Sequence, residues 1–266
     1  MDDEQAVAML KGVIGDRGEL IYAQRSGSWS FNLNTPTSDV DFFGVFIAPD
    51  PLDIKTHSFD HTVQGNSGDD WVMYELGKYI ELLAKGNPKV VEPLYSPTFL
   101  YKTAKWDNLV AQFKPMVINM VTVKQYVSFS SFELHEAKKK EASSVGDPEK
   151  AILAVGKPLY HGLRLAKEGR AILEGRGPRV YWTGAERDEL MAIRTGKTGK
   201  TAEALVARVS EELSSLKIAI GGSDVKIPEQ IDMKQLGRWV VEERLLTLRM
   251  LKCSESRAET GTEGVG

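Results

Sequence analysis

The spacing of apolar and polar positions changes character part-way along this chain. Up to about residue 105 the apolar residues fall mainly in short strand-like runs separated by turn residues, and beyond that they recur at helical intervals. Residues 3–14 open with a helical pattern in which Val7, Leu10 and Ile14 share a face, with acids in the first turn where the helix dipole favours them. Gly15 and Gly18 end it. Residues 19–24 read as a core strand that delivers the chain to Gly27, and residues 31–34 are expected to begin a short helix. A second strand is predicted over 42–48, closed by Pro49 and Pro51, and a third over 69–76. Between them, residues 52–69 are polar and turn-rich, a long hairpin connection or an irregular flap. Residues 77–85 form an amphipathic helix with Tyr79, Ile80, Leu82 and Leu83 inward. Gly86 caps it and Asn87-Pro88 turns the chain.

From Trp106 onward helices dominate: 121–140, 148–173, 186–194, 201–218 and 233–251, with a short extended piece at 180–182. Pro158 inside 148–173 either kinks that helix or starts it afresh. The pattern predicts an α+β fold: a small mixed-sheet domain over residues 1–105, a boundary at 98–105, an all-helical domain over 106–252, and a tail over 253–266. That tail is polar and Gly-rich from Ser254 and is expected to be disordered.

Composition narrows the class without choosing a function. The 266 residues are 42% hydrophobic and 27% charged, ordinary for a soluble globular protein. The net charge of −3 supplies no global basic field for nucleic acid, though it leaves room for a local basic groove. The single cysteine, Cys253, excludes an intramolecular disulfide framework and a multi-thiolate zinc site, and it fits a reducing cytosol. The acidic start differs from a secretory signal, and no apolar run approaches the ~18 residues of a membrane span, so a cytoplasmic location is expected.

Candidate chemistry concentrates in residues 26–48. Asp39 and Asp41, separated by Val40, project from one face of an extended segment. Two carboxylates that close repel, and a divalent cation relieves them; hard oxygen ligands select Mg²⁺ or Mn²⁺. Upstream, a turn at Gly27 and Ser28 brings backbone N–H groups within reach of phosphate oxygens, because glycine leaves no side chain in the way. Arg25, beside that turn, meets either a phosphate or solvent. Lys157, His161 and Arg164 are spaced by four and three, which places them on one helical face as a cationic stripe suited to a triphosphate. Lys138, in the run 138–140, is a further candidate for a nucleotide or acceptor backbone. His57 and His61 are spaced i, i+4, but no helical pattern surrounds them and a zinc reading finds little support.

The combination of Gly27-Ser28 with Leu-Asn-Thr-Pro-Thr-Ser-Asp-Val-Asp-Phe-Phe-Gly-Val-Phe at 33–46 resembles the active-site signature of the DNA polymerase β superfamily of nucleotidyltransferases. It is similar in particular to the branch of predicted nucleotidyltransferases found beside RNA ligases and assigned to RNA repair. The series Leu82-Leu83-x-Lys85-Gly86-Asn87-Pro88-x-x-x-Glu92-x-Leu94, and Lys157-x-x-x-His161-x-x-Arg164, resemble the same branch. The resemblance implies two Mg²⁺ or Mn²⁺ ions held by Asp39, Asp41 and a third carboxylate, which it places at Asp70. By strand alternation Asp70, Val72 and Tyr74 share one face while Asp69, Trp71, Met73 and Glu75 share the other, so Asp69 and Glu75 stay open as rivals. It further implies transfer of NMP from an NTP such as ATP to a hydroxyl acceptor, an RNA end being favoured, with release of pyrophosphate. A protein or small-molecule acceptor, or a catalytically silent nucleotide- or RNA-binding module, are the alternatives.

Overall fold

The computed structural model describes residues 1–48, 60–66, 69–144, 146–222 and 226–260, with side chains through Arg249. Helix α1 (Asp3–Ile14) begins at a capping box in which Asp2 accepts from the Gln5 N–H and Gln5 returns the bond, and it stops at Gly15, whose φ is 55°. The chain then builds β1 (Glu19–Ser26), β2 (Asp41–Ile47), β3 (Thr62–Asn66) and β4 (Asp70–Glu75). Glu75 caps α2 (Leu76–Ala84), and Asn87 caps the single turn α3 (Pro88–Val91), which runs on as a 3-10 turn over Glu92–Leu94. The short β5 (Tyr101–Lys102) follows, and the remainder is helical: α4 (Ala104–Phe113), α5 (Met120–Ala142), α6 (Pro148–Leu173), α7 (Gly184–Thr195), α8 (Ala202–Ile220) and α9 (Met233–Thr260).

The five strands form one mixed sheet in the order β3-β4-β2-β1-β5; β2 and β4 pair in parallel and every other pair is antiparallel. Strand alternation divides its two faces. Phe42, Phe46 and Met73 pack with Leu10 and Ile14 of α1 in one cluster. Phe43, Val45 and Tyr22 join a second cluster that takes in α2, α4, Tyr126 of α5 and Leu165 of α6. A third cluster, centred on α6, α7 and α8, admits Phe31 and Leu33 from the β1–β2 connection. The fold is therefore α+β, as the apolar pattern predicts, with the helices packed on the sheet through shared clusters.

Three local readings change. Residues 31–34 form no helix: the chain turns through 27–32 with Asn32 at φ 59°, a left-handed conformation that asparagine tolerates better than most residues. Pro158 lies inside one helical span, α6, where burial on several sides outweighs the missing N–H. Helix α9 continues to Thr260 instead of ending at Leu251, because Glu255, Arg257, Ala258 and Glu259 are good helix formers and the first tail glycine comes only at Gly261. The rest of the tail, and His57 with the rest of residues 52–59 in the 52–69 connection, lie outside the described residues. Of that connection, 62–66 is β3, the hairpin partner of β4.

Candidate nucleotide and metal site

The parallel register of β2 and β4 sets Asp41 opposite Asp70, and the flanking pairs extend the line to Ser26 on β1 and Asn66 on β3. One polar row thus crosses four strands. The next row on that face is Gln24, Phe43, Val72 and Gln64, and the third is Tyr22, Val45, Tyr74 and Thr62. The first two rows and Tyr74 floor a cavity of about 770 Å³ whose opposite wall is built by Phe31, Pro88, Lys89 and Glu92, Phe129 and Glu133 of α5, and His161, Arg164 and Leu165 of α6.

Within the polar row the electrostatics are those of crowded acids. Burial, then the charge of Asp70, then that of Asp39, push the Asp41 carboxyl above its ordinary range; Lys157 pulls the other way and Asp69 adds a smaller upward push. Gly27, at φ 62°, closes on the same carboxylate, and a Cβ there would stand 3.3 Å from Asp41 Oδ2. Only glycine combines that φ with that approach at no steric cost. The side-chain amide of Asn66 donates to Asp70.

The register distinguishes the three rivals for the third carboxylate. Asp70 lines the cavity beside Asp41. Asp69 precedes the strand and acts on Asp41 more weakly. Glu75 is fully buried at the far end of β4, where it accepts from the Gly77 N–H at 2.6 Å and pairs with Arg244 at 2.8 Å. Asp39 is exposed just before β2, with its backbone carbonyl accepting the Trp29 indole N–H at 3.0 Å. Among the described residues no three His, Cys, Asp or Glu side chains converge as a ready-made metal cage. What the row offers a cation is the pair Asp41 and Asp70, with Asp39 alongside.

The expected nucleotide contacts divide in the same way. Gly27 lines the cavity but Ser28 does not; Ser26 and Ser30 are the hydroxyls on its wall, and Ser30 donates to the Gly27 carbonyl at 2.8 Å. Lys138 is exposed on α5 and takes no part in the wall. Lys157 is exposed and close enough for its charge to act on Asp41 and His161. His161 reaches the wall, but it is not cationic. Burial and the charges of Arg164, Lys157 and Arg194 hold its pKa well below the ordinary histidine value, and its Nε2 bonds the Tyr160 hydroxyl at 2.8 Å. Arg164 is buried, stacks on Phe31 with its guanidinium 3.7 Å from the ring centroid, and bonds Glu92 and Glu168 at 2.8 Å each. Both glutamates thus occupy it, and Glu168 is pushed up to about 8 by burial against the pull of Arg164. The cationic stripe read from the spacing is therefore one exposed lysine, one neutral histidine and one arginine held by glutamates. Arg25 pairs with Asp3 at 2.6 Å.

Three residues that the sequence pattern did not single out belong to this region. Lys89, an exposed lysine on the cavity wall, stands one position after the Asn87-Pro88 turn. Arg187 and Arg194 of α7 reach back to the loop carrying Asp39: Arg187 Nε donates to the Asn32 carbonyl at 2.8 Å, and Arg194 donates to Ser38 Oγ at 2.9 Å and to the Leu33 carbonyl. Separations beyond 150 residues leave no local signal for such contacts.

Among solved structures, the nucleotidyltransferase-like protein from Exiguobacterium sibiricum aligns at 13% identity over 83% of this chain and 75% of that one, at a TM-score of 0.29; so distant a likeness bears no weight here. No curated protein matches. No helix among the described residues is long and apolar enough to cross a membrane. The RNA repair pathway DNA polymerase beta family matches over residues 1–242, a span holding the acid row, the glycine turn and both walls of the cavity, and the chain belongs to that family.

Proposed function

We propose that this protein is a metal-dependent nucleotidyltransferase that moves the NMP unit of an NTP onto a hydroxyl, with an RNA end as the acceptor. The observation that carries the reading is the in-register pairing of Asp41 and Asp70 on parallel strands, with Gly27 closed against Asp41. Family membership supports the class of reaction and the RNA-repair setting.

The donor set fits Mg²⁺ or Mn²⁺. Mutually repelling hard carboxylates favour such a cation, and Mg²⁺ held by few carboxylates completes its shell with water and phosphate oxygens. Asp39, Asp41 and Asp70 would hold two such ions. When bound they neutralise triphosphate charge and ease deprotonation of the acceptor. The chain's own residues do the rest. The turn at Gly27, with Ser26 and Ser30 beside it, orients the phosphates by N–H and hydroxyl donors. The acceptor oxygen bonds to the α-phosphorus, the bond from that phosphorus to the bridging oxygen breaks, and the electron pair leaves with pyrophosphate. The acceptor proton passes to the Asp70 carboxylate. Lys89, facing the cavity while Arg164 is occupied by two glutamates, supplies side-chain positive charge to the leaving group, helped by Lys157.

The test is incubation with each labelled NTP, Mg²⁺ or Mn²⁺ and total RNA. Label in RNA and equimolar pyrophosphate are expected. Label on the protein or on a small molecule would remove the RNA acceptor, and nucleotide binding without pyrophosphate release under all conditions would leave a silent binding module.

A further inference from the structure

No helix or strand holds the chain between Gly27 and Val40, yet this is the segment that must aim Asp39 and the start of β2. Its anchors come from the helical half. Trp182 N–H donates to the Phe31 carbonyl at 3.1 Å, the Asn32 side-chain amide donates to the Trp182 carbonyl at 2.9 Å, and Arg187 takes the Asn32 carbonyl. Nearest the carboxylates is Arg194. One guanidinium nitrogen donates to Ser38 Oγ at 2.9 Å and the other to the Leu33 carbonyl, so a single planar fork clamps the second half of the segment, from Leu33 to the residue before Asp39.

The seat of that arginine is built for it. Arg194 lies in the last turn of α7, and Gly156 lets that turn rest on α6: a Cβ at Gly156 would meet the Arg194 carbonyl at 2.7 Å and that of Ile193 at 2.8 Å. The guanidinium covers the Tyr160 ring at 5.1 Å and donates to its hydroxyl at 3.4 Å. That hydroxyl bonds His161 Nε2 on the cavity wall. At the other end, Ser38 Oγ also accepts the Thr35 N–H at 2.8 Å, so the hydroxyl held by Arg194 is the one that closes the Thr35–Ser38 turn.

We infer that Arg194 is a positioning residue for Asp39 and Asp41, fixing through Ser38 and Leu33 the loop that presents them; what those carboxylates do rests on the proposed function. A continuous chain of contacts runs from His161 through Tyr160 and Arg194 to Ser38, tying the cavity roof to the acids on its floor.

The experiment combines backbone hydrogen exchange with Mn²⁺ titration followed by electron paramagnetic resonance, on the full chain. Arg194→Ala and Ser38→Ala are each expected to speed exchange in residues 33–40 and to weaken Mn²⁺ binding, both by roughly tenfold, the worth of one charge-assisted hydrogen bond. Exchange in β1 and β2 stays unchanged, and the double variant is no worse than the worse single. Arg194→Lys, which keeps the charge and loses the fork, restores only part of either effect. Arg176→Ala, removing an exposed arginine paired with Glu174, changes neither. Should Arg194→Ala fail to fold, Ser38→Ala decides. Wild-type exchange in residues 33–40, or faster exchange with undiminished Mn²⁺ affinity, overturns the assignment. A wild-type protein that takes up no Mn²⁺ counts against the proposed function instead, and the exchange data then judge the loop contact alone.

Discussion

Asp41 is held in an environment that resists its charge, and that has opposite effects on stability and chemistry. With its folded pKa raised, it contributes stability that is present at low pH and lost as pH rises through the folded value. Asp41→Asn should therefore leave the thermal midpoint at neutral pH equal to or above that of the wild type, while lowering nucleotidyl transfer by at least about a hundredfold through lost cation binding. Differential scanning calorimetry and a pyrophosphate assay on one preparation check both halves. On the proposed reading Lys89→Ala is expected to raise the KM for NTP by about tenfold with the fold intact. His161 carries the opposite linkage. Its folded pKa lies well below 6.5, so the unfolded chain gains a proton first, and stability present above that pH is lost as pH falls below it. His161→Gln should flatten the acid side of the midpoint-against-pH curve between about pH 6.5 and 5 relative to wild type.

At the scale of elements, the network of Glu92, Arg164 and Glu168 joins the 3-10 turn after α3 to α6 at the back of the cavity. Removing the central cation leaves Glu92 and Glu168 buried without the group that holds them together. Arg164→Met is predicted to destabilise the protein by about 3–5 kcal/mol, measurable by urea unfolding. Part of this was legible in the chain. The period-two and period-3.6 patterns mark the strands and helices because burial of one face requires those spacings, and the spacing of Asp39 and Asp41 before an apolar strand points to the acid row. Helical spacing does align Lys157, His161 and Arg164, but spacing is blind to what faces them. Glu92 is one of the two residues that occupy Arg164, and no run of neighbours announces a partner 72 residues away. That Asp70 stands beside Asp41 while Glu75 lies at the far end of β4 follows from the β2–β4 register, a tertiary fact.

Across the whole molecule the sheet and the helices share their packing. Tyr22 of β1 stacks on Trp106 of α4 at 3.9 Å, and Leu165 and Ile172 of α6 belong to the same cluster as Phe43 and Val45. Even the 98–105 stretch, where a domain boundary is expected, contributes β5 to the sheet edge. A fragment ending at residue 105 would expose the sheet face that α4 and α6 cover; it is expected to lack cooperative thermal unfolding and to bind a hydrophobic dye, whereas the full chain melts in one transition.

Because α7 secures the loop that presents the acids, the order of synthesis bears on when the chain can work. A ribosome displays Asp39, Asp41 and Asp70 well before Arg187 and Arg194 exist. On this account the nascent polypeptide stays inert towards nucleotides until α7 has emerged, and a prematurely terminated product would carry the reactive side chains without the means to aim them.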